Sequence, residues 1–168
     1  MNRDAPRESC IATLEQILKM QTLLASSHLI RNEYPVVCFT SLGLFQALAS
    51  RVYRAHLRRW DFEPYGICIA RCYLEQRGAR PVVYGDDQTW QHLSDRERPF
   101  FQAKGSTTDV DWRGESEWRC VGDLDMRQLS PRQAFVFVPS ADAKQSLALI
   151  SRWPIIEVEP ANLTDHKT

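Results

Sequence analysis

The stretch "WRGESEWRC", residues 112–120, places two tryptophans, two arginines and two glutamates within nine residues. Side chains alternate between the two faces of a β-strand. If this stretch is a strand, Glu115, Glu117 and Arg119 therefore share one face, and Trp118 lies on the other. The alternation predicts a strand with one buried apolar face and one face that carries two carboxylates and a guanidinium group.

The charged face of this strand has two interpretations. If it meets solvent, Arg119 neutralises its neighbours and contributes little to stability, as surface ion pairs do. If it lines a cleft, Glu115 and Glu117 become a hydrogen-bonding carboxylate and a candidate base, and Arg119 restrains them. The spacing alone leaves both interpretations open.

The composition is that of one globular domain. The chain has 168 residues, of which 43% are hydrophobic and 25% charged, enough for one core and few for two. The net charge of zero gives the whole molecule no general attraction to nucleic acid. The sequence contains neither an apolar run of membrane-spanning length nor a signal-peptide pattern at its start, so we expect a cytoplasmic protein without membrane contact.

The five cysteines are odd in number and fit reduced thiols in a cytoplasm. Cys68 and Cys72 are the closest pair, and the sequence offers no second pair or histidine cluster to complete a tetrahedral zinc set. We therefore expect no metal site.

Runs typical of strands and helices alternate irregularly along the chain. Predicted strands cover residues 35–40, 64–70, 80–85, 117–122, 134–139 and the run "IIEV". Predicted helices are 10–21 with Ser9 as N-cap, a helix capped by Ser41 that reaches about Arg58, a short one over 71–77 stopped by Gly78, one opened by a Ser94–Glu97 capping box, and 141–151 capped by Ser140. This order predicts a single α+β domain over residues 1–168, with a mixed sheet of about six strands, helices packed on it, and flexible ends at 1–8 and 160–168.

A second group of candidate site residues surrounds the strand in "SSHLIRNEYPVVCFTS", residues 26–41. His28 and Arg31 precede the strand, and Thr40 and Ser41 end it where a helix is predicted to begin. A helix N-terminus leaves N–H groups free to bind a ligand. The alternative is that Ser41 is only a helix cap, Thr40 only a strand end, and the two basic residues lie in an exposed turn.

A third group is the segment "RVYRAHLRRW", residues 51–60, which contains four arginines and no acidic residue. Arg51, Arg54, Arg58 and Arg59 together with the aromatic residues predict a surface for a protein or nucleic-acid partner. The alternative is the solvated face of an amphipathic helix.

Four motifs in this order, "YPVVCFTS", "PYGICIA", "RPVVYG" and "ESEWR", resemble the AbiGi-type family of abortive phage-infection proteins. The resemblance covers about residues 9–140. It implies a role in phage defence or toxin–antitoxin biology, and it implies no particular reaction.

The order of an early basic residue, a strand ending in hydroxyls and a late E-x-E strand is also similar to that of mono-ADP-ribosyltransferases. Arg31, Thr40-Ser41 and Glu115-Ser116-Glu117 fill these places. Arg31 lies closer to Thr40 than is usual in that family, and no histidine occurs in residues 1–8. The likeness implies an ADP-ribosyltransferase-like fold with NAD as co-substrate.

This likeness assigns NAD-binding roles to six residues, and Arg119 is the one that would act by holding a carboxylate. Arg31 or His28 would hold the pyrophosphate or a ribose, and Thr40 and Ser41 would orient the nicotinamide ribose. Tyr65 would supply an aromatic wall.

Catalytic roles fall on the late strand. Glu117 would hydrogen-bond the ribose hydroxyl and stabilise the oxocarbenium-like charge as nicotinamide leaves. Glu115 would orient or deprotonate the acceptor, and Arg119 would hold either carboxylate in place.

Two other functions stay open from sequence. The first is a non-enzymatic, antitoxin-like module that binds a protein or nucleic acid through the segment 51–60. The second is a phosphodiester-cleaving enzyme using His28 or His56, for which the sequence offers no set of metal ligands.

Overall fold

The structure, a computed structural model, describes residues 8–54, 59–104 and 116–158. The α-helices in these ranges are α1 Glu8–Met20, α2 Leu44–Ala49, α3 Arg71–Gln76, α4 Asp87–His92 and α5 Ala141–Ala148. The strands are β1 Thr22–Leu23, β2 Val36–Thr40, β3 Tyr53–Arg54, β4 Arg59–Trp60, β5 Gly66–Ile69, β6 Arg80–Pro81, β7 Val83–Gly85, β8 Phe101–Ala103, β9 Glu117–Val121, β10 Leu124–Asp125, β11 Ala134–Val138 and β12 Ile155–Glu157. The α+β class is confirmed. The predicted flexible ends, except for Glu8, lie outside the described residues.

The strands of the described ranges form five small sheets, where the sequence predicted one mixed sheet of about six strands. Two sheets have three strands, in the orders β12-β11-β5 and β2-β9-β6, and three are pairs, β1-β10, β3-β4 and β7-β8. The predicted strand at 80–85 shows how the division arises. Its first half, β6, pairs with β9, and its second half, β7, pairs with β8.

The chain divides into two compact units, each built from separated segments. The first unit is Met1–Gln21, Gly43–Ile69 and Leu129–Thr168, and the second is Thr22–Leu42 and Ala70–Gln128. The single domain expected over residues 1–168 stays a prediction.

In the first unit, β11 is the central strand of its sheet. It pairs antiparallel with β5 and parallel with β12. Helix α5 follows β11, and its predicted cap is confirmed because the Ser140 hydroxyl accepts a hydrogen bond from the Ala143 N–H at 3.3 Å. The apolar side chains of Val136, Val138 and Leu147 are fully buried and form the centre of this unit's core.

In the second unit, β9 is the central strand, antiparallel to β2 on one side and to β6 on the other. On the face of β9 that the sequence predicted to be buried, Trp118 is only half-buried, and Cys120 next along that face is 2% exposed. Helix α3 ends before Gly78, whose φ of +84° is the left-handed conformation predicted for a residue that stops a helix.

Two helix predictions are wrong in their bounds. Helix α2 begins after Gly43 and ends at Ala49, so Ser41 is not its cap and the helix does not reach Arg58. The apolar spacing continues beyond Ala49, but the backbone turns into β3, which pairs with β4. Ser9, the predicted N-cap of the first helix, lies inside α1 and does not precede it.

The predicted capping box is confirmed, although it opens a shorter element. The Glu97 carboxylate accepts hydrogen bonds from the Ser94 N–H at 3.0 Å and from its hydroxyl at 2.6 Å. The turn continues as a 3₁₀ helix, Arg98–Phe100, in place of an α-helix. Pro99 supplies no N–H, which limits the element to one turn.

Candidate functional site

Pairing of β2 with β9 brings two of the predicted site residues side by side. Thr40 lies directly opposite Glu117, and Cys38 lies directly opposite Arg119. Cα atoms of opposed residues in an antiparallel ladder are about 4.5–5.5 Å apart. Glu117 therefore lies next to the end of β2, as the transferase interpretation requires. Glu115 lies outside the described residues.

Arg119 is the most enclosed charged residue of the site, with 1% of its surface exposed. Its Nε and Nη2 donate to the two carboxylate oxygens of Glu117, at 2.8 and 3.3 Å. Its Nη1 donates to the carbonyl oxygens of Pro99 and Phe101, at 3.3 and 2.8 Å. Nη2 also donates to Oε1 of Gln102 at 2.6 Å. These contacts use all five N–H groups of the guanidinium.

Arg119 thus acts as a clamp between β9 and the segment 98–103. Its N–H groups are all bonded to protein oxygens, so its contribution to a site is to position Glu117, the role predicted for it. The solvent-facing interpretation is wrong for Arg119, because the segment 98–103 covers this position. The Glu117 side chain keeps 16% of its surface exposed. A carboxylate has about four lone-pair sites, so Glu117 can accept further hydrogen bonds.

Cys38 is a member of this cluster that sequence reasoning did not identify. Desolvation of its thiol, followed by the negative charge of Glu117 and a hydrogen bond to that carboxylate, raises the pKa of Cys38 to about 12, although the nearby Arg119 opposes the shift. The residue as a whole is exposed, yet its thiol is neutral near pH 7. A neutral thiol is a weak nucleophile, so Cys38 offers the site no reactive thiolate near pH 7. Cys38 lies two residues before Thr40 in β2, so strand alternation places both side chains on one face, and this spacing could have identified Cys38 from the sequence.

Backbone contacts fix the chain where β2 ends. The Ser41 N–H and hydroxyl donate to the Ser116 carbonyl oxygen at 3.0 and 3.2 Å. The Leu42 N–H donates to the Thr40 hydroxyl oxygen at 3.1 Å. Ser116 has a φ of +48°, a left-handed conformation that costs roughly 1–2 kcal/mol for a residue other than glycine. These contacts hold the entry to β9 beside Thr40 and Ser41.

Arg31 is held by a different set of residues. Its Nη1 contacts Oδ1 of Asp87 at 2.6 Å, and its guanidinium carbon lies 4.5 Å from the centre of the Trp90 ring and 5.8 Å from that of Phe101. The side chains of Arg31 and Asp87 are 38% and 82% exposed. An ion pair this exposed is worth about 0–1 kcal/mol, so a competing anion can displace it.

His28 lies in an exposed turn near the start of β2. Its N–H donates to the Ser26 hydroxyl at 3.3 Å, and Ser26 forms a bridge with Val36. Thr40 is at the other end of β2, four residues along, which is about 14 Å at the rise of a strand. The structure therefore does not bring His28 together with Thr40 and Glu117. Tyr65 belongs to the first unit, where it is half-buried just before β5.

The basic segment 51–60 is not the helix face that its spacing suggested. Its described ends form β3 and β4, with Tyr53 opposite Trp60 and Arg54 opposite Arg59. Arg58 lies outside the described residues.

Arg51 is engaged within the first unit. Its side chain is 7% exposed and contacts the Glu63 carboxylate at 3.1 Å, and its Nε donates to the Phe62 carbonyl oxygen at 2.6 Å. Its guanidinium carbon lies 4.1 Å from the centre of the Trp60 ring. Arg51 therefore supports Trp60 and is not a free contact for a partner.

Within residues 8–54, 59–104 and 116–158, no group of three or more His, Cys, Asp or Glu side chains is arranged to hold a metal ion. In the same ranges, no helix has the length and apolar character needed to cross a membrane.

Comparison of the chain with protein-family models, with curated proteins and with solved structures finds no match. The likenesses to the AbiGi-type family and to ADP-ribosyltransferases therefore rest on the quoted motifs. The geometry of β2 and β9 is the independent support for a site.

Proposed function

We propose that this chain is a cytoplasmic phage-defence or toxin–antitoxin protein with an NAD-dependent, ADP-ribosyltransferase-like site where β2 ends and β9 begins. The observation that carries the proposal is the direct opposition of Thr40 and Glu117, with the carboxylate of Glu117 held in two places by Arg119. A fixed carboxylate beside a hydroxyl matches the demands of a positively charged, ribose-centred transition state.

In the proposed reaction, the bond between ribose C1′ and the nicotinamide nitrogen breaks, and its electron pair leaves on nicotinamide. The acceptor nucleophile forms the new bond to C1′ and gives its proton to Glu115 or to water. Glu117 accepts a hydrogen bond from a ribose hydroxyl and stabilises the charge that develops on the ring. Its lone pairs beyond the two bonds from Arg119 make this contact geometrically available.

Three residues of the second unit are proposed to bind NAD. Thr40 and Ser41 orient the nicotinamide ribose, because they lie beside Glu117. Arg31 contacts the pyrophosphate in place of Asp87, because the exposed ion pair between Arg31 and Asp87 is weak.

The proposal is tested by titrating NAD into the protein in a calorimeter. Wild-type protein is expected to bind, and Arg31→Gln to bind about tenfold more weakly because it loses one charged contact. The control Arg132→Gln removes another exposed arginine and is expected to bind as wild type does. An absence of binding heat with NAD across several temperatures would overturn the proposal.

The second candidate is a non-enzymatic interaction module that binds a protein or nucleic-acid partner. The observation in its favour is that all the N–H groups of Arg119 donate to protein oxygens, as those of a purely structural arginine do. A phage plaque count on cells that express the chain separates the two. Protection that survives Glu117→Gln in folded protein favours the module, and protection that is lost favours the enzyme.

A further inference from the structure

Two arginines of the second unit lie over one tryptophan ring. The guanidinium carbon of Arg31 is 4.5 Å from the centre of the Trp90 ring, and that of Arg98 is 5.3 Å from the same centre. The two guanidinium carbons can therefore be no farther apart than the sum of these two distances. An aromatic ring attracts a guanidinium and leaves its N–H groups available for hydrogen bonds. Trp90 thus places two cations within reach of one ligand that carries two phosphoryl groups.

Both guanidinium groups have donors to spare. Within the residues that the structure describes, Arg31 donates only to Asp87 and Arg98 only to Asp95, each through Nη1 at 2.6 Å. The buried Nε of Arg98 has no hydrogen-bond partner in the same part of the chain. An unmet buried donor is unfavourable, so Arg98 loses little when its side chain turns toward an anion. Arg119, by contrast, has all its N–H groups bonded to protein oxygens.

The carboxylates of Asp87 and Asp95 are the groups that a bound anion has to displace. Their side chains are 82% and 89% exposed. Ion pairs this exposed contribute little to stability. A phosphoryl group can accept two parallel hydrogen bonds from one guanidinium, which are stronger than a single contact. A ligand with two phosphoryl groups therefore replaces two weak pairs by stronger ones.

The turn that carries Arg31 has an unusual backbone. Leu29, Asn32 and Glu33 have φ values of +63°, +58° and +54°. Left-handed conformations are costly for residues other than glycine, and they persist where the surrounding structure enforces them, as at ligand clamps. The backbone on both sides of Arg31 is therefore held, which fixes the point from which its side chain reaches Trp90.

We propose that Arg31 and Arg98 together form a diphosphate-binding site, so that Arg98 is a second pyrophosphate contact for NAD and the site prefers two linked phosphoryl groups to one. The inference rests on the proposed function, in which Arg31 contacts the pyrophosphate. Phe101 connects this site with the clamp, because its ring lies 5.8 Å from the Arg31 guanidinium carbon and its carbonyl oxygen accepts a hydrogen bond from Arg119.

The test is calorimetric titration of the full chain with inorganic pyrophosphate, ADP and AMP. Wild type is expected to bind ADP at least about tenfold more tightly than AMP, because the second phosphoryl group gains charged hydrogen bonds. Arg98→Gln should weaken pyrophosphate binding about tenfold and bring the ADP and AMP affinities within about twofold of each other. Asp95→Asn removes the competitor for Arg98 and should strengthen pyrophosphate binding about threefold. A purely structural role of Arg98 would leave the ratio of ADP to AMP affinity unchanged.

The matched control is Arg152→Gln, which removes an arginine over another tryptophan ring, 5.6 Å from the centre of Trp153 in the first unit. This variant should bind all three ligands as wild type does. Thermal melts verify folding, and Arg98→Lys, which keeps the charge and loses the planar fork, repeats the test with an intermediate loss expected if Arg98→Gln is unfolded.

The inference is overturned if Arg98→Gln binds pyrophosphate as wild type does, if the control weakens binding equally, or if wild type binds ADP no more tightly than AMP. A parallel titration with NAD separates the two proposals. NAD binding that is unaffected by Arg98→Gln overturns this inference alone. Pyrophosphate binding that depends on Arg98, without any binding of NAD, supports the diphosphate site and overturns the proposed NAD-dependent function.

Discussion

Replacement of Arg119 by methionine tests the clamp on which the candidate site depends. The change keeps most of the apolar side-chain volume and removes five hydrogen-bond donors from a position that is 1% exposed. It leaves the Glu117 carboxylate without its counterion and the Phe101 carbonyl and Gln102 amide without their donor. Breaking a buried ion pair from one side costs about 3–5 kcal/mol, and the partial exposure of Glu117 places this case near 4 kcal/mol.

Glu117→Gln perturbs the same pair less, because one oxygen can still accept from Arg119. We expect a loss of about 2 kcal/mol for the single variant, the cost of one unsatisfied charged hydrogen bond. In the double variant Arg119→Met/Glu117→Gln no carboxylate is left without its counterion, so we expect the free energy of unfolding to fall by about 4 kcal/mol in total. This total is about 2 kcal/mol less than the sum of the two single losses, and the difference is the coupling energy.

Urea unfolding followed by tryptophan fluorescence gives these free energies of unfolding, with circular dichroism as the second probe. Gln102→Met is the control that loses an acceptor of Arg119 and spares the ion pair. Exposed ion pairs contribute only about 0–1 kcal/mol to stability. If Arg119→Met lowers the free energy of unfolding by less than about 1 kcal/mol, the clamp does not hold β9 to the segment 98–103. Strict additivity of the two variants would refute the direct coupling.

Three further predictions concern other parts of the structure. Gly66→Ala places a Cβ 2.7 Å from the Phe137 ring and should lower the free energy of unfolding by about 1–3 kcal/mol, with Gly66→Ala/Phe137→Leu recovering part of it in urea unfolding. Cys38 should be alkylated by iodoacetamide at pH 8 at least about a hundredfold more slowly than free cysteine, because its pKa is about 12. Equal alkylation rates, measured by peptide mass spectrometry, would contradict this. Hydrogen bonds from Arg127 lower the pKa of Asp125 to about 2, so this carboxyl stabilises the fold above its unfolded pKa of 3.8 and loses that effect as pH falls toward 2. Asp125→Asn should therefore flatten the acid branch of the stability profile between pH 4 and 2, and an unchanged profile would count against the assignment.

Long strands and two of the helix ends could be predicted from the sequence because they have strong local signals. The β-branched and aromatic run of β2 and the alternation of β9 define both strands. Ser140 and Gly78 mark a helix start and a helix stop by local hydrogen bonding and a left-handed backbone.

Short pairings could not be predicted, because a two-residue strand has no periodicity to detect. Strands β1 and β10 are of this kind, and so is the β3-β4 pair. Apolar spacing after Ser41 is compatible with a longer helix, but the helix ends at Ala49 and the chain continues into β3, which pairs with β4.

The site was predictable in part. Alternation placed Glu117 and Arg119 on one face, and the likeness to ADP-ribosyltransferases implied that Thr40 lies near them. The burial of Arg119 was not predictable, because two of its acceptors are the backbone carbonyl oxygens of Pro99 and Phe101, and backbone groups carry no signal in a sequence.

The most direct test of the central claim is the release of nicotinamide from NAD by the purified chain, measured by chromatography with a suitable acceptor protein mixture. Wild type should release nicotinamide above the rate of buffer alone. Glu117→Gln should lower that rate by at least about a hundredfold, the usual effect of losing one transition-state contact. Gln102→Met, which disturbs the same clamp and keeps the carboxylate, should remain active below its unfolding midpoint. Equal rates for Glu117→Gln and Gln102→Met, or no release by wild type, would contradict the account.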